Sequence, residues 1–394
     1  MLFALEEYEN RLARARAALS DAGLVGALCV SPESITYFTG YNGYTHWTEQ
    51  ALIISVDSAS VTLVLRQIDL TLAAESSWVS DVRSYEFGRE SACAVVRDAV
   101  KTSGMASGSL GLEKQSHAMP AIYADALADA LPDSFDLVDC SILLSRLRVR
   151  KTAAELVYVR QAAEITRAGM QAAVDCLRPG ISEIDAAATI ELALRRAGSD
   201  YSAMPTMLAS GPRTAGIHST PTDRILKPGE PVSLLLAGVR HRYHVTAYRT
   251  VHLGKPPARF RELYLVAQQA LAGLGDAVVI GRPVAEAARL AASSLRPSGC
   301  ERYHVARWGY GVGMAYPPVW LEAFDIVEES SDVFQPDTVM CLHICFSVPD
   351  EKFGLVVGHD VILTDSGVER LDHLGTGLSV LTGAESEISN LQEA

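Results

Sequence analysis

The 394-residue chain has no run of 18 apolar residues and no basic-then-apolar pattern in its opening MLFALEEYENR. Neither a membrane span nor a secretory leader is expected, and a cytoplasmic location is. Positive charge is scarce: 34 Lys and Arg against 47 Asp and Glu leave a net charge of −13. Such a surface repels a phosphate backbone, so nucleic acid is not an expected partner, and neither is a membrane. The seven cysteines are odd in number and show no CxxC spacing, which argues against a disulfide framework or a zinc knuckle. Cys29, Cys93, Cys140, Cys176 and Cys300 lie in apolar stretches and read as reduced core residues. There is no GxSxG elbow and no short-period repeat. GYGVG at 309–313 is no nucleotide loop, because no βαβ unit with an acidic residue about twenty positions on follows it. Ser210 and Ser219 invite a serine-nucleophile reading, but nothing singles out a third partner.

What is present exceeds one ordinary core. The composition is 48% hydrophobic over a length that suggests two domains. We expect an N-terminal α/β domain over 1–150 and a second domain over 151–394, joined by the basic connector 146–151. In the first domain, 6–24 has the spacing of an amphipathic helix, and 25–30, 51–55 and 60–65 read as strands. Between the first two strands, SPESITYFTGYNGYTHWTEQ reads as a polar aromatic loop, with Tyr44, His46 and Trp47 as candidate substrate contacts. In the second domain, helices are expected over 152–177, from the capping box at Ser182, and over 258–276 and 284–295. Short strands and Gly/Pro loops fill 303–371, and the acidic stretch past Gly383 reads as a frayed tail.

The chain centres on 210–254, SGPRTAGIHSTPTDRILKPGEPVSLLLAGVRHRYHVTAYRTVHLG. A polar loop with Arg213 and His218 leads through a Lys-Pro-Gly-Glu turn into an apolar β-rich run. A charged reversal at 240–242 and a second strand follow, so the segment reads as a hairpin carrying Tyr243, His244, Tyr248 and Arg249 outward on two faces. Further on, Cys341, His343 and Cys345 alternate in MCLHICFSV and share one strand face, read most simply as a filled core face with one polar member.

The same stretch resembles the pita-bread superfamily of methionine and Xaa-Pro aminopeptidases, creatinase and ectoine hydrolase. The likeness rests on PTDRxLxxGExV and RYxxTxYRTVxLG, with YFTG at 37–40, RKTAAEL at 150–156 and GYGVG at 309–313 in the same order. It implies a fold of the α/β (α+β) class, with a small N-terminal creatinase-like domain before a pita-bread domain built on a duplicated αββ unit. It also implies a homodimer in which the loop around Trp47 reaches the partner's site.

The family's peptidases hold two divalent ions with two Asp, one His and two Glu, since hard ions take oxygen ligands. On the resemblance, those positions fall here on Leu235, Thr246, Tyr310, His343 and Gly358, the last flanked by His359 and Asp360. A dinuclear centre is therefore not expected, nor any other cofactor, and a metallo-aminopeptidase is the least favoured activity. Creatinase and its relatives hydrolyse C–N bonds in small molecules without metal, and His218 matches the position of their acid/base histidine. LAGVRHRYH and GYGVGMAYPPVWLE resemble ectoine hydrolase, which implies that Tyr310, Tyr316, Trp320 and Glu322 lie around the pocket. Trp320 and the tyrosines suit cation–π contact, and an unpaired Glu322 would be costly to bury.

The glutamates that grip a guanidinium-like substrate in creatinase fall on Tyr248 and Gly358. What remains is cationic and hydrogen-bond donating: His218, His244, His304, His343 and His359 with Arg213, Arg249, Arg307, Tyr248 and Tyr310. That set favours a substrate carboxylate or a developing oxyanion. The expected activity is a metal-independent C–N hydrolase acting on a small amino-acid-like or N-acyl substrate. His218 would be the acid/base, with Tyr248, Tyr310 and His343 stabilising charge. The alternatives are a cyclase, dehydratase or lyase on the same site, and a non-catalytic binding homologue.

Overall fold

The structure, a computed structural model, describes residues 1–371 and 375–382. The acidic stretch past Gly383, expected to fray, lies outside the described residues. The chain divides into two compact units, Met1–Arg148 and a second from Val149 onward. No helix among the described residues is long and apolar enough to cross a membrane.

The first unit runs α1 (Leu5–Asp21), β1 (Gly26–Cys29), α2 (Pro32–Thr39), β2 (Ala51–Ser55), β3 (Val61–Arg66), α3 (Leu70–Ser76) and β4 (Asp81–Tyr85). It continues with α4 (Ala92–Thr102), β5 (Gly108–Leu112), α5 (Ala121–Ala130), β6 (Phe135–Asp139) and α6 (Ser141–Arg146). Its described strands form a six-stranded sheet in the order β4-β3-β2-β1-β5-β6. α2 corrects the expectation of a continuous loop over this stretch. Ser31 caps its N-terminus by accepting from the Ser34 amide, Pro32 occupies the first turn, and Gly40 closes it at φ 79°. The tyrosine-rich composition hid those start and stop signals. Buried Glu113 pins the same N-terminus, accepting from the amides of Val30 and Ser31 at 2.8 Å each.

The second unit opens with α7 (Ala153–Cys176), whose N-cap Thr152 forms a reciprocal capping box with Glu155. There follow α8 (Glu183–Arg196), β7 (Met207–Ser210), β8 (Pro231–Arg240), β9 (Tyr243–Leu253), α9 (Ala258–Ala277) and α10 (Val284–Leu295). The unit closes with β10 (Gly309–Val312), β11 (Leu321–Ile326), β12 (Thr338–Val348), β13 (Phe353–Thr364), β14 (Gly367–Arg370) and β15 (Ser379–Leu381). The described strands make a nine-stranded sheet whose main path is β11-β10-β12-β13-β9-β8-β7.

One face of this sheet is apolar and covered. Leu234, Leu236, Ala247 and Val251 pack on α7 and α8, while Leu342, Ile344, Val357 and Val361 pack on α9 and α10. Alternation in a strand sends the intervening residues to the other face. β8 and β9 are joined through His241 and Arg242, both at positive φ (49° and 70°), as a tight hairpin of primed type. Arg242 offsets that backbone cost. It donates to the carbonyls of Tyr201 and Ala315 at 2.7 Å each, and its guanidinium lies over the rings of Tyr201 and Tyr316. The hairpin stands as the sequence suggests, but Tyr243, His244, Tyr248 and Arg249 are buried, because β9 is an interior strand flanked on both sides.

Candidate active site

Two rows of buried residues cross the face of the second unit's sheet opposite the helices. In the first, register aligns Leu235 with Tyr248, Tyr248 with Gly358, and Gly358 with His343. In the second, Ala237 faces Thr246, Asp360 faces Cys341, and Cys341 faces Tyr310. Asp360 bridges the gap between β13 and β9 by accepting from the Thr246 amide and hydroxyl, at 2.6 Å each. All five positions where the resemblance calls for metal ligands therefore lie on one face.

That face is a network of donors. The hydroxyls of Tyr248 and Tyr310 are 2.6 Å apart, and the Trp320 indole N–H donates to Tyr310 at 2.9 Å. Only one of the two phenolic protons can lie between the oxygens, so the other is directed elsewhere. The His343 ring stacks on Tyr248 with centroids 5.0 Å apart and an interplanar angle of 16°. Burial pushes both phenols well above their usual pKa. The Cys341 thiol is raised by burial and then by the neighbouring Asp360 carboxylate. Cys345, whose sulfur is 3.5 Å from His343 Nδ1, is pushed up to about 12 by burial. These thiols are protonated at neutral pH and are not nucleophiles.

His343 is held down to about 3, first by burial and then by the positive field of His304, Arg307 and His218. Those three sequence candidates thus lie within electrostatic reach of it. His304 stacks flat on Trp308 at 3.8 Å, has a buried Nε2 without a partner, and is lowered to about 4 by burial. Arg307 pairs with Asp325 at the surface. His218 is exposed on the loop after β7.

Other candidates are placed differently. His244 has both ring nitrogens engaged: Nε2 accepts from the Ala203 amide at 3.0 Å, and Nδ1 lies 2.8 Å from the Arg242 carbonyl. Burial lowers it to about 3. Arg213 is committed to Glu183, whose carboxylate also takes Ser210 and Thr222. Tyr243 points to the helices and donates to Glu155 at 2.9 Å. Arg249 and His359 fall on the helix-covered face, since each follows or precedes a residue that points the other way. Tyr316 lies under Arg242. Glu322 is not unpaired: it meets the Lys151 ammonium at 2.5 Å, with side-chain exposures of 1% and 0%. Tyr44, His46 and Trp47 belong to the first unit, Tyr44 and His46 in edge contact at 5.6 Å.

Thr246 and Asp360 figure in the sequence only where metal ligands are missing, and Cys341 only as a core residue; none is assigned there to the site. The signal for them was the two-residue spacing from Tyr248, His343 and Gly358. The donor set does not fit a divalent ion. It offers one carboxylate, already accepting from Thr246, and among the described residues no group of three or more His, Cys, Asp or Glu could hold a metal. Nor is there room for a carboxylate at 358 as the face stands, for a Cβ there would lie 2.6 Å from the Cβ of His343.

The profile of metallopeptidase family M24 matches residues 157–365, and that of the creatinase/prolidase N-terminal domain matches 11–150. The ectoine hydrolase of Halomonas elongata is 25% identical over 399 residues, covering 94% of this chain and 96% of that one. The Xaa-Pro dipeptidase of Lactobacillus delbrueckii subsp. lactis is 26% identical over 370 residues, covering 92% and 96%. Among solved structures, the Xaa-Pro dipeptidase from Bacillus anthracis shares the fold, with a TM-score of 0.84 at 22% identity over 95% of this chain and 100% of that one.

Proposed function

The chain belongs to metallopeptidase family M24, a family of hydrolases and peptidases, and carries a creatinase/prolidase N-terminal domain; on that premise we propose that it hydrolyses a C–N bond in a small amino-acid-like or N-acyl substrate without a metal ion. The observation that carries this reading is the paired hydroxyls of Tyr248 and Tyr310 beside neutral His343, on the face where the family's metal ligands would sit. A spare phenolic proton there can be lent to an oxygen that gains negative charge as water attacks the substrate's carbonyl carbon. The Arg307 guanidinium, whose charge reaches His343, favours an anionic group on the substrate.

His218 serves as the general acid/base. It takes a proton from the attacking water, the C–O bond forms, and the same proton passes to the leaving nitrogen as the C–N bond breaks. Its exposure is compatible with that role, because catalytic hydrogen bonds tighten in the substrate complex. The ectoine hydrolase relative supports a small polar substrate; the Xaa-Pro dipeptidase relative supplies the rival, a metal-dependent dipeptidase.

The test is elemental analysis of the purified protein together with product analysis by mass spectrometry. Substrates would be a panel of cyclic amidines, N-acyl amino acids and Xaa-Pro dipeptides, with and without chelator and added manganese. Chelator-insensitive release of an amine from a non-peptide substrate, lost in His218→Ala, is expected. Stoichiometric metal, or turnover confined to Xaa-Pro dipeptides, would return the dipeptidase. A product lighter by one water would make it a cyclase or dehydratase. Binding without turnover across the panel would make it a binding homologue.

A further inference from the structure

The first unit contains a cavity that the proposed chemistry does not use. Its volume is about 410 Å³, in the range of small-molecule sites. It lies among the end of β4, the start of α4, the first turns of α5 and the segment leading into β2. Large apolar side chains stand open at its mouth: Trp47 is 62% exposed, Phe87 59% and Ile122 79%. Isolated exposed apolar residues need no explanation, but three around one cavity do.

Deeper in, Tyr123 is 4% exposed and its buried hydroxyl has no hydrogen-bond partner. That hydroxyl lies in the field of Cys93, Tyr85 and Glu49, all of which line the cavity. An unmet buried hydroxyl is costly, and the cost falls when a ligand supplies a partner. The polarity of that ligand follows from charge. Glu49 and Glu90 line the cavity, and none of the described lining residues is Lys, Arg or His. The Tyr85 hydroxyl donates to the Glu49 carbonyl at 2.7 Å and sits 3.4 Å from its carboxylate, but no basic side chain pairs with Glu49 among the described residues. The nearby cation, Arg66, stacks over Phe87 at 4.5 Å and Trp47 at 5.8 Å. Its charge opposes a second cation at the rings of the mouth, so the ammonium's place is at Glu49.

We propose that this cavity binds a small amine with an aromatic body, its ammonium donating to the Glu49 carboxylate and the Tyr123 oxygen and its ring packed among Trp47, Phe87 and Ile122. Apart from Trp47, which the resemblance also carries toward a partner's site, no lining residue of this cavity belongs to the catalytic reading, so either can fail alone.

Calorimetric titration of the full chain with phenethylamine tests it, against 3-phenylpropionate, which has a similar body and the opposite charge. Saturable binding of the amine, at least about tenfold tighter than the acid, is expected. Glu49→Gln should abolish the preference, and Tyr123→Phe, which removes one oxygen and keeps the packing, should weaken the amine about three- to tenfold. His218→Ala should leave the amine's affinity unchanged, which separates this cavity from the candidate active site. No saturable heat up to millimolar amine, equal binding of amine and acid, or undiminished binding in both Glu49→Gln and Tyr123→Phe would overturn the proposal.

Discussion

Replacing Glu322 with Gln removes the counter-charge of Lys151, an ammonium with 0% side-chain exposure whose partner is 1% exposed. Lys151 keeps a hydrogen bond to the Val149 carbonyl at 3.1 Å, but a carbonyl dipole does not neutralise it. Breaking a buried pair from one side leaves a charge without compensation and costs about 3–5 kcal/mol. For a domain of this size each kcal/mol moves the melting temperature by about 2–4 °C, so the substitution should lower it by about 6–20 °C. Removing both charges together, as Lys151→Met with Glu322→Leu, should recover most of that loss, because the desolvation of two ions disappears with their attraction. Scanning calorimetry on the single and double variants measures the coupling. The outcome also decides what Glu322 is for. If it gripped substrate instead, Glu322→Gln would raise KM with little change in melting. A melting temperature within about 2 °C of the parent, or a double variant no more stable than the single, would refute the reasoning.

Three further outcomes follow from the site. His218→Ala should leave melting unchanged, because the side chain is exposed, while kcat/KM falls by about 10²–10⁴-fold; full activity in that variant removes the mechanism. Tyr248→Phe breaks the 2.6 Å contact with Tyr310 and should cost about 0.5–1.5 kcal/mol of stability but about 10²–10³-fold in kcat, a disproportion that pure packing would not give. Buried His244 and His343 titrate in the fold at about 3 in place of 6.5. Between those values the unfolded chain takes up protons that the folded chain refuses. Their contribution is therefore whole above about pH 6.5 and falls on acidification toward pH 3, by about 1.4 kcal/mol per pH unit for each imidazole. Urea unfolding at pH 7.5 and pH 5 reads the slope, and a rise in stability on acidification would contradict it.

The fold was legible because its signals are local. Thr152 and Glu155 announce their helix from three residues apart, and the span 284–295 begins and ends where its apolar spacing does. α2 was missed because Ser31, Pro32 and Gly40 are spread through an aromatic run that resembles a loop. The site was legible only in part, since it is a property of register. Tyr248, Tyr310 and His343 could be named from their places in motifs, but that Asp360 meets Thr246 across 114 residues could not. Nor could Glu322 be matched with Lys151 across 171. Arg249 and His359 are a different case: each adjoins a residue of the site face, so strand alternation alone was enough to send them to the helices.

The contact between Gly358 and His343 acts as a ratchet on this sheet. A side chain at 358 would come within 2.6 Å of the His343 Cβ and 2.7 Å of the Leu342 carbonyl, atoms that any residue but glycine at 343 keeps, and an acidic side chain at 343 alone would find one carboxylate on its face, Asp360, already accepting from Thr246. Exchanging side chains alone does not reopen the site, for β12 itself must shift away from 358 before a carboxylate fits there, with Leu235 still to be replaced beside it. Anyone hoping to install a metal in this scaffold would be crossing a valley and not climbing a slope.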